Sequence, residues 1–406
     1  MVLLSAVYGV FIGAIPGLTA TMAVALLVPV TFHLDPVHAI AAVVTLVACA
    51  IFAGDIPNTL LRIPGTPASA AYTDDVHALT RQGRPEQALG VCLVSSVAGG
   101  LIGAFALMLF AQSLARVATL FGTVEYFWLY LLGLGCAVVA TRGSTLKGAL
   151  GLIVGLALST VGLSAAHGTE RFTFGVAELY RGIDFIPAMI GLFGLSEVLR
   201  NLLVLDRRPA GGAETVDRPR ERGLGSVFRT ALPQLWRRKA ATLRSAGIGG
   251  AVGMLPGAGA DIAAWVSLGV SRRLSPGSEG SLEGVADATA ANNSALAGAW
   301  VPALVFGIPG DSVTALVIGI LMMKDVTPGA DIFVRDGGVL VSSVYLLFIL
   351  ANLVLFPVGL LAIKAGGTLV RLPHRVLLPV ILLFCVIGAY AVSGSLFDVG
   401  VMLAMG

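Results

Sequence analysis

An apolar run that opens near Ala290 and closes near Leu321 is cut by Ile308-Pro309-Gly310. In hydrocarbon an unpaired backbone N–H or C=O is too costly to keep, so such a break is tolerated only where protein buries it or it lines a watery cavity. The break excludes a plain lipid-facing span and marks a candidate ligand site. An earlier stretch repeats it: Ile63-Pro64-Gly65-Thr66-Pro67-Ala68-Ser69-Ala70 matches Ile308-Pro309-Gly310-Asp311-Ser312-Val313-Thr314-Ala315 in its Ile-Pro-Gly, its hydroxyl and its final Ala.

Composition says that the surroundings of these breaks are a bilayer. Of 406 residues 56% are hydrophobic and 12% charged, and mean hydropathy is +0.91, values outside the range of soluble domains. At about 20 residues per helical span the apolar segments predict roughly nine to eleven crossings. The net charge of +3 sits mostly in loops, so no nucleic-acid surface is indicated. Cys49, Cys92, Cys136 and Cys385 stand singly in apolar runs, which argues against a disulfide framework or a metal site. Met1 leads into an apolar segment with no basic region or small-residue cleavage pattern, and reads as the first membrane element rather than a removable signal.

In chain order, residues 3–32 hold Gly9-x-x-x-Gly13-x-x-Pro16-Gly17-Leu18-Thr19-Ala20-Thr21 and predict a broken helix or a re-entrant hairpin. Residues 36–62 form an apolar segment carrying Asp55 and Asn58 and ending in Arg62; a charged loop covers 72–87; and 88–111, 118–140, 146–166 and 183–205 read as four ordinary spans. Residues 206–245 break the pattern with ten basic residues against Asp206, Glu214, Asp217 and Glu221, a cytoplasmic linker by the positive-inside rule. The opening motif then returns as Gly249-x-x-x-Gly253-x-x-Pro256-Gly257-Ala258-Gly259-Ala260-Asp261, with Pro256 lying 240 residues after Pro16. Val94-Ser95-Ser96-Val97 recurs as Val341-Ser342-Ser343-Val344. The chain is thus expected to be an all-α polytopic membrane protein with broken or re-entrant helices, built as two repeats, 1–205 and 246–406.

Charge also orients the repeats. Counting back from a cytoplasmic linker puts the Arg142/Lys147 loop and the start of the span at residue 88 inside. The repeat partner of that span instead ends at Lys364, Arg371 and Arg375, which places its far end inside and makes the repeats inverted. Inverted repeats with broken helices near the midplane are a recurring architecture of secondary transporters.

A helix that starts inside the membrane after a Pro-Gly turn presents unpaired N–H groups and the positive end of its dipole, and an anion is the natural guest. The candidate contacts are Pro16, Gly17, Thr19 and Thr21; Pro64, Gly65, Thr66 and Ser69; Pro256, Gly257, Gly259 and Asp261; Asn292 and Asn293; and Pro309, Gly310, Asp311, Ser312 and Thr314. Gly65 and Gly310 are expected to let the backbone approach a carboxylate closely. The Ser and Thr hydroxyls could equally bond back to their own helices. Asn292-Asn293 could coordinate a sodium ion or substrate, or could cap a helix and tie two helices together. Asp55, Asp261 and Asp311 read as intramembrane carboxylates, functional by default, although the latter two could serve only as helix caps and Asp55 could pair with Arg62 seven residues on. A carboxylate beside an anion site implies a proton or a coupling cation, sodium or proton being the choices. No His-x-x-x-His, Walker loop or Ser/His/Asp ordering supports an enzyme.

The runs PGLTATMAVALLVPVTF (16–32), RIPGTPASAA (62–71), MLPGAGADIAAWVS (254–267) and AANNSALAGAWVPALVFGIPGDSVTALVIGIL (290–321) resemble the large membrane subunit of tripartite tricarboxylate transporters, over nearly the whole chain. The resemblance implies a permease of the bacterial inner membrane that works with a small membrane subunit and a periplasmic solute-binding protein. Such a permease takes up citrate-like or other organic acids on an ion gradient, with no ATPase and no cofactor. Two departures stand out. Relatives extend beyond both ends, so the second repeat is expected to be truncated, and Ala288-Thr289 stands where many relatives carry a Pro-acid pair. The competing readings are an intramembrane enzyme and a scaffold subunit with no transport of its own.

The linker assignment is checked by labelling. A Ser226→Cys variant in intact cells should resist a membrane-impermeant maleimide added outside and react only after permeabilisation; reaction from outside would reverse the topology.

Overall fold

The computed structural model describes residues 1–140, 144–164, 168–205, 227–257, 259–275, 282–334, 338–369 and 374–406. Arg142, Arg371 and linker residues 206–226 lie outside the described residues. The chain is an all-α multi-pass membrane protein, as its hydropathy demands. Its first half supplies α1 (Val2–Gly13), α2 (Ala20–Thr31), α3 (Pro36–Ala53), α4 (Asp55–Leu61), α5 (Thr73–Arg81), α6 (Pro85–Ala118), α7 (Thr123–Ala140), α8 (Thr145–Ser159), α9 (Phe185–Met189) and α10 (Ser196–Leu205). The second supplies α11 (Leu232–Arg237), α12 (Lys239–Gly253), α13 (Gly259–Leu274), α14 (Leu282–Phe306), α15 (Ser312–Met323), α16 (Val339–Leu369), α17 (His374–Ser393) and α18 (Leu396–Met405).

The first motif folds as a re-entrant hairpin. α1 and α2 are 12 residues each, about 18 Å apiece, little more than half of a hydrocarbon core of about 30 Å. α1 lies parallel to α3, because Gly9 rests on the backbone of Leu46 and Gly13 on that of Ala50; a Cβ there would fall 2.3 and 2.4 Å from the two carbonyl oxygens. α2 is joined to α3 by a tight turn, where Asp35 caps α3 by accepting from His38 N at 3.3 Å. α2 therefore runs back against α1, and the Tyr8 hydroxyl donates across the hairpin to Ala23 O at 3.5 Å.

The second motif does the same with different residues. Gly249 rests on Ala291 and Gly253 on Ala295, where a Cβ would meet carbonyl oxygens at 2.2 and 2.4 Å. α12 is thus parallel to α14, and α13 returns against α14 with Leu268 over Gly284. Small residues allow this backbone contact, the usual device for packing helices where lipid leaves no hydrophobic driving force between them.

Long helices knit the halves of the chain together. α6 lies parallel to α14, Gly99 over Ala290 and Gly103 over Ser294. α16 lies along α3 and α4 through Gly359 at Phe52 and Gly366 at Ile56, and it crosses α6 with Gly100 at Asn352 and Gly359 at Leu93. Those two crossings run in opposite sequence directions, so α6 and α16 are antiparallel. The buried centre is filled by Trp300, Phe348, Phe52 and Leu93, with Trp300 edge-on to Phe348 at 5.3 Å.

Among the described residues four helical stretches are long and apolar enough to span a membrane: Pro36–Leu61, Pro85–Ala118, Phe185–Leu203 and Val339–Gly367. Much of the remaining apolar length is divided into half-helices by the Pro-Gly turns. The stretch expected as a span over 146–166 ends as a helix at Ser159 and continues into a small antiparallel ladder pairing Gly162–Leu163 with Glu170–Arg171. Within 183–205 the helix widens to a π-turn over Ile190–Leu195, where Gly191 admits the backbone of α18 at Met402.

Replacing Gly249 by Leu should destabilise the protein by at least about 1 to 3 kcal/mol in detergent unfolding, since the side chain has no room against α14. Gly151→Leu on α8 should be neutral in the same assay, because nothing lies within 4 Å of a Cβ at that position.

Candidate functional site

Each Ile-Pro-Gly folds back over its own helix. Gly65 lies on Gly54 and Gly310 on Ala299, in both cases eleven residues earlier, and Gly65 N donates to Gly54 O at 3.2 Å. A Cβ at Gly65 would fall 2.5 Å from Gly54 Cα, and one at Gly310 would fall 2.8 Å from Ala299 Cβ. Neither residue has a positive φ. Contact with the preceding helix by itself requires glycine at both positions. Left-handed backbone occurs instead at Gly17 (φ 87°), Gly257 (φ 77°) and Gly259 (φ 62°), where the hairpin turns reverse the chain.

The segments that follow the two Ile-Pro-Gly turns are held alike. Thr66 N donates to Ser69 Oγ and Ser69 N to Thr66 Oγ1, both at 3.1 Å. Asp311 N donates to Thr314 Oγ1 at 2.9 Å and Thr314 N to Asp311 Oδ1 at 2.8 Å, a capping box. These four side chains are engaged in their own turns, the local role that the hydroxyls and Asp311 could have taken. Thr19 is likewise occupied as the N-cap of α2, accepting from Met22 N at 3.2 Å.

What the sequence does not reveal is which breaks meet. Thr21 Oγ1 lies 2.8 Å from Ser312 Oγ, so the start of α2 abuts the start of α15. At the far ends of the same helices the Lys324 ammonium donates to Phe32 O and stands over the Phe32 ring. α2 and α15 are thus parallel neighbours with their N-termini level. The other pair is built the same way: Trp265 Nε1 donates to Pro67 O at 3.3 Å, and Arg272 Nη2 reaches Asp75 Oδ2 at 3.2 Å. α13 therefore runs parallel to the segment from Pro67 through α5. Gly257 N donates to Gly310 O at 3.0 Å and draws the α12–α13 turn against the second Ile-Pro-Gly, with Pro256 beside it in sequence. Asp261 lies in the first turn of α13, behind Gly259, whose Cβ position is 3.2 Å from Asp311 Cβ. The turn at Pro16-Gly17 is held from α10, where Asn201 Nδ2 donates to Gly17 O at 2.8 Å.

The N-termini of α2, α15 and α13 thus come together beside α14, with the turn after Pro64-Gly65 next to α13, while α5 begins further out with Asp75 in its first turn. Their dipoles turn positive ends toward this region, where the Asp311 and Asp261 carboxylates also stand at helix starts. Thr21, Ser312 and Gly257 are half-buried there, Gly310 is buried, and Pro64 and Pro309 are exposed.

Asn292 and Asn293 sit mid-helix in α14, 3% and 2% exposed, which removes the helix-cap reading. Both side-chain atoms of Asn293 are buried with no hydrogen-bond partner, at a cost of about 1 to 3 kcal/mol for each unsatisfied group. Asp55 is not paired with Arg62. Arg62 closes α4 in the left-handed conformation (φ 58°), leaves the helix face and binds Asp74 at 2.7 Å. Asp55 accepts instead from the Tyr72 hydroxyl at 2.6 Å, in a buried site. Asn201, Trp265, Arg272, Asp75 and Lys324 escaped the sequence reading. Asn201, a lone amide in an apolar segment, is the one that carried a visible signal.

Broken half-helices that meet across the halves of the chain define a multi-pass, all-helical membrane protein. Comparison with known families makes this specific. The chain matches the tripartite tricarboxylate transporter TctA family over residues 1–406, and it belongs to that family. It is 34% identical over 405 residues, 98% of this chain and 78% of the relative, to an uncharacterized 52.8 kDa protein of the TAR-I ttuC′ 3′ region of Agrobacterium vitis. A second relative from that organism, an uncharacterized protein of the TAR-II ttuC′ 3′ region, is 32% identical over 162 residues, 39% of this chain and 66% of the relative. No solved structure matches.

A double-mutant cycle of Thr21→Val and Ser312→Ala should give a coupling of about 0.5 to 1.5 kcal/mol in unfolding, the net worth of one hydroxyl bond. Additive effects would mean that α2 and α15 do not meet in the membrane.

Proposed function

We propose that this subunit is the permease of a tripartite system in the bacterial inner membrane. It takes up tricarboxylates or related organic acids on an ion gradient, receives them from a periplasmic solute-binding protein and works beside a small membrane subunit. Family membership supports transport, and the observation that carries the reading is the convergence of helix N-termini from both halves of the chain. Polarised N–H groups hold a carboxylate by many modest bonds and release it again, whereas a buried arginine would hold it too firmly for turnover. We further infer that residues 1–205 and 246–406 are inverted repeats joined by a cytoplasmic linker over 206–245. The matching glycine seats, the equivalent reciprocal turns at Thr66/Ser69 and Asp311/Thr314, and the antiparallel course of α6 and α16 support this.

Ion coupling enters through Asn293. Its buried amide has no side-chain partner in the fold, which supports a role in binding, and its Oδ1 suits sodium or a substrate hydroxyl. The test is uptake of labelled carboxylates into vesicles bearing the protein, its small subunit and its binding protein, with sodium and proton gradients imposed separately. Uptake should need one of the two gradients, and Asn293→Leu should abolish it while leaving thermal stability unchanged or raised. Full uptake by a well-inserted Asn293→Leu protein would reduce that residue to packing.

A further inference from the structure

The contacts between the two halves fall at two depths, and the outer ones have no role in holding an anion. At the inner depth are Thr21–Ser312 and Trp265–Pro67. At the outer depth are Arg272–Asp75, an ion pair of 3.2 Å, and Lys324 on the Phe32 carbonyl and ring. The outer contacts lie at opposite ends of α14. Arg272 is in the last turn of α13, whose return against α14 puts it near Leu282. Lys324 follows α15, beside the loop whose Gly329 N donates to Leu304 O at 2.9 Å. α14 has 25 residues, about 37 Å, so the two contacts are a membrane thickness apart. Each ties the C-terminal end of one short helix to its parallel neighbour from the other half, on the outer flank of the N-termini.

Resting on the transport reading above, we propose that these contacts are the two gates. Arg272–Asp75 closes the path from the central site to the side of the α14 N-terminus, and Lys324–Phe32 closes the path to the opposite side. Both contacts are made in this structure, and each outward or inward opening breaks one contact while the other holds. Their chemistry suits release. The Arg272 side chain is 42% exposed and Phe32 40% exposed, so water reaches one partner of each contact, although Asp75 itself is 7% exposed. Other charges nearby do not cross between halves: Arg244 binds the buried Asp287 at 2.9 Å and Arg238 lies 3.5 Å from it, which ties α12 to α14 within one half. Those pairs hold each moving body together.

The test reads access to the centre and needs no substrate, so it stands or falls apart from the carboxylate assignment. A Ser312→Cys reporter is placed in a parent protein and labelled with a charged methanethiosulfonate reagent from each side, in right-side-out and inside-out vesicles. Arg272→Gln should raise the labelling rate from the α14 N-terminal side about fivefold, the population shift expected from losing one partly exposed contact. Lys324→Gln should raise it to a similar extent from the opposite side only. The exchange Arg272→Asp with Asp75→Arg should return labelling to the parent rate, as should Lys324→Arg, and these rescues distinguish a gate from general loosening. Arg244→Gln should lower thermal stability and leave side-selective labelling unchanged. If Arg272→Gln and Lys324→Gln open the same side, or if neither changes access in a protein that inserts normally, the gate assignment is wrong.

Discussion

Every broken helix in a bilayer carries a debt of unpaired backbone groups, and the architecture follows from how that debt is met. The Pro-Gly turns are not left to lipid. Gly17 O is met by Asn201, Gly310 O by Gly257 N, and Gly65 N by Gly54 O. Three of the short helices that follow the turns start against a partner from the other half of the chain: α2 against α15, and α13 against the segment after Pro67. The requirement to bury irregular backbone is thus also what places helix N-termini together. Helix N-termini gather at the place where the hydrocarbon would otherwise be least forgiving.

Much of this could be read before any coordinates. Hydropathy fixes the solvent and hence the helical class, and the paired Gly-x-x-x-Gly and Pro-Gly motifs locate the hairpins at the positions where they form. The local roles of Thr66, Ser69, Asp311 and Thr314 follow from spacing alone, since residues three apart at a helix start reach one another's N–H groups. Partner choice did not follow. Nothing in the sequence couples Thr21 to Ser312, 291 residues apart, or Arg272 to Asp75. Asp55 and Arg62 show why spacing misleads near a helix end: one left-handed residue at Arg62 turns its side chain away from the face on which periodicity would place it. Gly65 and Gly310 show a second limit. Glycine after proline signals a close approach, but not what approaches, and here it is the chain's own preceding helix.

The same glycines separate rigid parts from movable ones. Where backbone rests on backbone, as for α1 on α3 and α12 on α14, displacement by even a fraction of a turn meets carbonyl oxygens, so each hairpin moves with its long helix. Backbone on backbone also joins α6 of the first half to α14 of the second, whereas the remaining contacts between halves are made by hydroxyls, an indole and charges, which can be remade at modest cost. The distribution of small side chains therefore sets the boundaries of the bodies before any motion is described.

The pairing of α6 with α14 also bears on how the protein is made. Gly99 and Gly103 present a groove shaped for Ala290 and Ser294, which are synthesised 191 residues after Gly99 and after the basic linker. At translation rates of about 5 to 20 residues per second, roughly 10 to 40 seconds pass before the groove is filled. During that interval the groove of the newly inserted helix must be covered by lipid or by an insertion factor, and any chain released early would display to other membrane proteins a surface built for a helix that never arrives.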